Sequence, residues 1–226
     1  MGTGEAIVTS GPGGASGATI ADLEKTRAQR RGKEMVARLH HHAIRTDDME
    51  KTRAFYEGLL EMPMVSALKE PIDPTTGAAD PYLHCFFEMK DGSAIAFFQF
   101  LGRKAAPKTP QDVFDHHLAV SVPNFDDLRK IKDRLEANGY PTAGIDHGFC
   151  YSLYVRDPNG MALELVGDPE NELEINEAYA RNAHADYKSW LARDFEANNE
   201  GRGVGVFPMQ TSSFEDMMKV LPENRP

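Results

Sequence analysis

Along the middle of the chain the apolar positions switch between a period of two and a period near 3.6, and the switches fall at matching places in two stretches. HHAIRTDDMEKTRAFYEGLLE, starting at His41, can be laid without a gap on the stretch HHLAVSVPNFDDLRKIKDRLE, residues 116–136, with His41 over His117. Each opens with a short alternating run and continues into a helix whose apolar positions coincide: Met49 with Phe125, Phe55 with Ile131, Leu59 with Leu135. Asp47 followed by Glu50 resembles a capping box, Asn124 followed by Asp127 supplies the second helix start, and Gly139 with Pro141 ends that helix. Further strands are expected through Met64–Leu68, Tyr82–Met89 and Ser93–Leu101 in the first half, and through Thr142–Asp146, Cys150–Arg156 and Met161–Val166 in the second. The unit is βαβββ, used twice, which makes the fold class α+β.

The turns set the register. Asp157-Pro158-Asn159-Gly160 carries a type I turn signature, and the glycine after it suits a three-residue hairpin loop with a bulge. With Pro158, Asn159 and Gly160 as the loop, Arg156 faces Ala162 and Tyr154 faces Glu164. The same rule at Lys90-Asp91-Gly92 sets Phe86 opposite Ala96 and His84 opposite Phe98. By the repeat, Ala96 occupies the place of Glu164.

Strand alternation then sorts the histidines of LHHHAIRT, residues 39–46. In HHLAVSV the larger apolar side chains Leu118, Val120 and Val122 should pack on the helix, leaving His117, Ala119 and Ser121 to line a cavity. Through the repeat, His41, Ala43 and Arg45 face the cavity, and His40, His42 and Ile44 face away. His41, His117 and Glu164 are thereby expected to converge, and two histidines with one carboxylate form the facial set used for non-haem Fe(II), or equally for Zn, Mn, Co or Ni. Glu164 stands in the apolar strand MALELV, where an unpaired carboxylate is expensive to bury; the alternative to a metal is an ion pair with a cation such as Arg45.

Composition narrows the classes. A chain of 226 residues, 41% hydrophobic and 27% charged, is ordinary for a globular protein, and a net charge of −10 opposes nucleic acid and anionic membrane surfaces as partners. The two cysteines, Cys85 and Cys150, sit in apolar runs that suit free thiols, and no run reaches the roughly 18 apolar residues of a membrane span, so a reducing cytoplasm is the expected location. Residues 1–35 read as a flexible then helical arm, 36–168 as the repeated domain with modules about 36–101 and 114–168, and 169–226 as a C-terminal helix and tail. The helix carries an apolar stripe at Ile175, Tyr179, Ala183, Tyr187, Leu191 and Phe195, expected to pack on its own domain or across a homo-oligomer.

With HHAIRT and HHLAVSV opening the units and DPNGMALEL closing the second, residues 36–168 resemble the vicinal oxygen chelate superfamily of glyoxalases, epimerases, fosfomycin and bleomycin resistance proteins and extradiol dioxygenases. That resemblance implies an open, curved, barrel-like sheet around a metal site, with His41, His117 and Glu164 as ligands and alanine at the fourth position, 96. IDHGFCYSLYVRDPNGMALE, residues 145–164, is similar to the signature of type I extradiol ring-cleaving dioxygenases. The implied reaction is Fe(II)-dependent opening of a catechol ring with O2, Tyr154 bonding the substrate oxygen and His147 orienting or donating in the same region. Such enzymes usually carry a further acid/base histidine on the last strand of the first unit; GSAIAFFQF has Ala94 there, and His84 on the neighbouring strand is the candidate substitute. Phe86, Phe98 and Phe149 beside small residues suit a planar ring. Two other readings stand beside this one: a glyoxalase-like lyase or isomerase on a different divalent metal, and a metal-free binding or resistance protein.

Overall fold

The computed structural model describes residues 18–33, 35–105, 113–199 and 207–221. Its repeated core follows the expected order. Strand β1 (His41–Arg45) leads into helix α2 (Met49–Arg53), then β2 (Met64–Glu70), β3 (Tyr82–Glu88) and β4 (Ala94–Phe100). The second unit runs β5 (Leu118–Val122), α3 (Phe125–Ala137), β6 (Thr142–Asp146), β7 (Tyr151–Arg156) and β8 (Ala162–Gly167). Outside the repeat stand α1 (Ile20–Arg31), α4 (Glu172–Leu191) and α5 (Phe214–Val220). The arm before residue 18 lies outside the described residues.

Each unit makes one four-stranded mixed sheet, ordered β1-β4-β3-β2 and β5-β8-β7-β6, with the first strand parallel to the last and the rest antiparallel. The sheets are open and do not close into a barrel. Tyr154 pairs with Glu164, Arg156 with Ala162, Phe86 with Ala96 and His84 with Phe98, the register that the turns predict. Gly92 and Gly160 carry it: both sit at positive φ, +76° and +79°, the bulge conformation that side chains resist.

The first repeat helix departs from expectation in two ways. Its N-cap is Asp48, whose side chain accepts from the Lys51 amide, while Asp47 accepts instead from the Ala105 amide, so a loop contact distant in sequence takes the expected cap. After Arg53 the backbone widens into a π-helical stretch, Ala54–Leu59. The adjacent residues Phe55 and Tyr56 of this stretch are both buried in the core.

One core serves both units. Ile44, Phe87, Ile95 and Phe97 of the first sheet join Leu153, Val155, Leu163 and Leu165 of the second, with Phe55, Tyr56, Leu128 and Leu135 from the helical segments between. Tyr56 ties the halves with a buried hydrogen bond to Asp157 Oδ2, 3.0 Å. Both sheets therefore turn their helix-covered faces toward the shared core, and the faces that carry His41 and Glu164 point away from it on opposite sides.

Candidate metal centre

On the second sheet the site is built from three adjacent strands. Pairing of Tyr154 with Glu164 and of Ala119 with Glu164 puts β7, β8 and β5 side chains on one face. His117, at the entrance to β5, reaches Glu164: its Nε2 lies 3.0 Å from Oε2. The Nδ1 of His117 is 2.5 Å from the Val113 carbonyl, which can only accept, so the ring hydrogen resides on Nδ1. A neutral His117 then presents a lone pair from Nε2 to the carboxylate. Two acceptors at that distance require a cation between or beside them, either a proton on the ring or a metal.

Glu164 is 6% exposed, and its other partners are the fully buried Ser152 hydroxyl, which donates to Oε1, and the Tyr154 hydroxyl. The ion pair with Arg45 is not formed: Arg45 donates to the carbonyls of Arg103 and Lys104, at 3.1 and 2.7 Å, on the other sheet. Ser152 escaped the sequence reading, although a small polar residue in the apolar run YSLYV at the parity of Tyr154 was the available sign. The donor set and its burial fit a divalent metal, with His117 Nε2 and Glu164 as ligands.

Beside this pair stands a second. His147 Nε2 is 3.2 Å from the Tyr154 hydroxyl, which brings together the two residues of the signature. Burial first, and then the charge of Glu164, push the Tyr154 hydroxyl well above the usual tyrosine range, so it stays a donor at any physiological pH. Phe149 stacks near His147 with ring centres 6.0 Å apart.

The first sheet carries the remaining candidates. His41 meets Phe86 at 5.3 Å and His84 at 6.2 Å between ring centres, and His84 stacks on Phe98 at 3.6 Å, all on the face opposite the core. His42 points the other way, 5.7 Å from His116, so the alternation that singled out His41 holds. Burial, and next the neighbouring His41, lower the pKa of His84, which favours its neutral form as a proton acceptor. The convergence of His41 with His117 and Glu164 is a different matter. Among the described residues, no three histidine, cysteine or carboxylate side chains gather in one place within the chain. The cause is the shared core, which sets the two faces back to back.

Comparison with known proteins gives the frame. The family described as Glyoxalase/Bleomycin resistance protein/Dioxygenase superfamily matches residues 38–165. The chain belongs to that superfamily. Solved structures similar to this superfamily member include a glyoxylase/bleomycin resistance protein/dioxygenase domain from Frankia sp. EAN1pec, with 19% identity, TM-score 0.47, and coverage of 60% of this chain and 94% of that one. Another is a glyoxalase/dioxygenase from Nostoc punctiforme, with 22% identity, TM-score 0.44, and coverage of 59% and 92%. A third is the fosfomycin resistance protein FosX from Listeria monocytogenes complexed with Mn(II) and sulfate, with 19% identity, TM-score 0.43, and coverage of 61% and 98%. Comparison with curated proteins finds no match. Both cysteines are free and buried, and among the described residues no helix is long and apolar enough to cross a membrane. The match ends at residue 165, so α1, α4 and α5 lie outside it.

Proposed function

We propose that this superfamily member is an Fe(II)-dependent extradiol dioxygenase that opens a catecholic ring, and that it works as a pair of copies. The observation that carries the reading is the His117–Glu164 pair: a buried carboxylate with Oε2 3.0 Å from the imidazole Nε2, and Tyr154 and His147 directly beside it. His117 and Glu164 hold the metal, and His41 completes the set. Because the His41 face and the Glu164 face point to opposite sides of one chain, a second copy supplies the missing face, in a two-fold arrangement that makes two equivalent sites.

A bound divalent metal would supply Lewis-acid and redox chemistry to the diol and O2, held there by His117 and Glu164. The chain does the rest. Tyr154, held protonated, donates its one hydroxyl hydrogen to a diol oxygen, and His147 donates its Nε2 hydrogen to the phenol oxygen and so holds the ring in place. His84, held neutral beside His41, takes the proton of the other hydroxyl. Phe86 and Phe98 wall the ring and exclude water.

Two experiments test this. Reconstitution with Fe(II) without air, addition of catechol, 3-methylcatechol or 2,3-dihydroxybiphenyl, and admission of O2 should give oxygen uptake and a yellow product. No uptake across the panel, with hemithioacetal isomerisation by the Ni or Zn form, would replace this reading by a glyoxalase-like one. The two-copy site is tested by mixing. H41A and E164Q should each be inactive, yet a refolded one-to-one mixture should regain about a quarter of wild-type activity, since half the pairs are mixed and each holds one intact site. A mixture as inactive as its parts would place the whole site in one chain.

A further inference from the structure

The chain beyond the superfamily region turns back to the Tyr154–His147 pair from two directions. The first is the segment 207–221. Phe207 packs on Phe125 and Tyr151, on the core side of the second sheet. The backbone then runs along the free edge of β6: Ser212 donates its amide to the Gly144 carbonyl and accepts the Gly144 amide on its hydroxyl, both at 2.8 Å, and Thr211 accepts from the Asp146 amide. Having covered that edge, the segment crosses to the other face as α5. Val220 is buried there among Ala143, Tyr154 and Ala162, with Met217 and Leu221 alongside. Ala143 pairs with Tyr154 and Tyr154 with Glu164, so these side chains share the face of the candidate metal ligands. Arg156 pins the end of the helix by donating to the Val220 carbonyl at 3.0 Å.

The second direction is α4 and the segment that follows it. Asn199 donates its side-chain amide to the His147 carbonyl at 2.8 Å and accepts from the Tyr179 hydroxyl at 3.1 Å, and Tyr179 meets Phe149 edge-on at 6.1 Å. His147 sits in the loop before β7, where Gly148 takes φ +83°, and Asn199 ties the backbone of that loop to the segment after α4.

We infer that the C-terminal extension is part of the site: Asn199 holds the His147 loop and Val220 seats the Tyr154 ring, so that the imidazole and the phenol meet. Both are positioning residues. Neither touches substrate. The inference rests on the reading of Tyr154 and His147 as the pair that bonds the diol oxygen, and its geometry is independent of any metal.

The test is the imidazole 15N spectrum of the full-length, metal-free protein, with the His147 signal assigned by its loss in H147Q and the broken hydrogen bond calibrated by Y154F. N199A and V220A should each move the His147 Nε2 resonance most of the way to its Y154F position, while V220I, which keeps the branched contact, leaves it at the wild-type position. Slow exchange of the Gly144 and Asp146 amides shows in each variant that the segment is still docked. A His147 resonance unmoved in both N199A and V220A, with those amides protected, overturns the inference. In the Fe(II)-loaded protein the same two variants should lower kcat for ring opening about tenfold and change KM by less than about twofold. If the resonance moves as expected but wild type opens no diol ring, the positioning stands and the ring-cleavage reading falls.

Discussion

Replacing Ser152 by alanine tests the candidate metal centre at one hydrogen bond. Ser152 is fully buried, and its hydroxyl donates to Oε1 of Glu164, the oxygen that does not face His117. In S152A that oxygen loses the Ser152 donor, which leaves the Tyr154 hydroxyl as the carboxylate's partner on this strand pair, and the carboxylate can rotate away from the direction of His117. A hydrogen bond to a charged group is worth roughly 1.5–3 kcal/mol. At about 1.4 kcal/mol per factor of ten, that corresponds to a loss of about 10- to 100-fold in metal affinity, the range seen when groups supporting metal ligands are removed. Calorimetric titration with Mn(II) of wild type, S152A and S152T is the assay, S152T keeping the hydroxyl. S152A should bind about 10–100 times more weakly and S152T close to wild type. Affinity in S152A within about twofold of wild type, with an unchanged far-UV spectrum, would mean that Glu164 is not held for a metal in the way argued.

Two further outcomes follow from the packing. A Cβ at Gly144 would stand 1.9 Å from the Tyr151 hydroxyl oxygen, which bonds the Gln210 carbonyl at 2.8 Å. G144A should therefore lower the urea unfolding free energy by about 2–4 kcal/mol at constant slope, from overpacking plus one lost hydrogen bond, and a loss below about 0.5 kcal/mol would refute the contact. Asp73 is held down to about 2, from an ordinary value of 3.8, by the Thr75 hydroxyl and amide and then by Arg103. As pH falls the unfolded chain takes up this proton first, so the stability it contributes is complete above about pH 4 and is lost between about 4 and 2. D73N should flatten the acid limb of the urea midpoint over that window, and an unchanged slope would assign the limb to other carboxylates.

Much of the domain could be read from the residues because the signals were local. Alternation in HHLAVSV and HHAIRT fixes which side chains share a face, since a strand allows only two directions. The three-residue loops at Gly92 and Gly160 fix register, because a glycine that tolerates positive φ permits one hairpin geometry and with it the pairing of Tyr154 with Glu164. The signature spacing singled out His147 and Tyr154, and the hydrogen bond between them was added by the fold of the loop onto the strand. The fault at Asp47 has the opposite origin: its carboxylate went to Ala105, far along the chain, and Asp48 took the cap.

What the sequence determined by itself is each sheet: its strands, its register, and the face on which His41, His117 and Glu164 stand. How the two sheets lie against each other was decided by tertiary structure, because the apolar faces of both units are equally hydrophobic and nothing in their pattern says whether they bury against each other or apart. They share one core, so the histidine faces look outward, His41 among His84 and Phe86 on one side and His117 with Glu164 on the other. The same holds for the C-terminal extension. Its helical stripe was visible, but that Asn199 and Val220 return to His147 and Tyr154 depends on a path around the edge of β6, and a side chain's sequence does not record the surface it will cover.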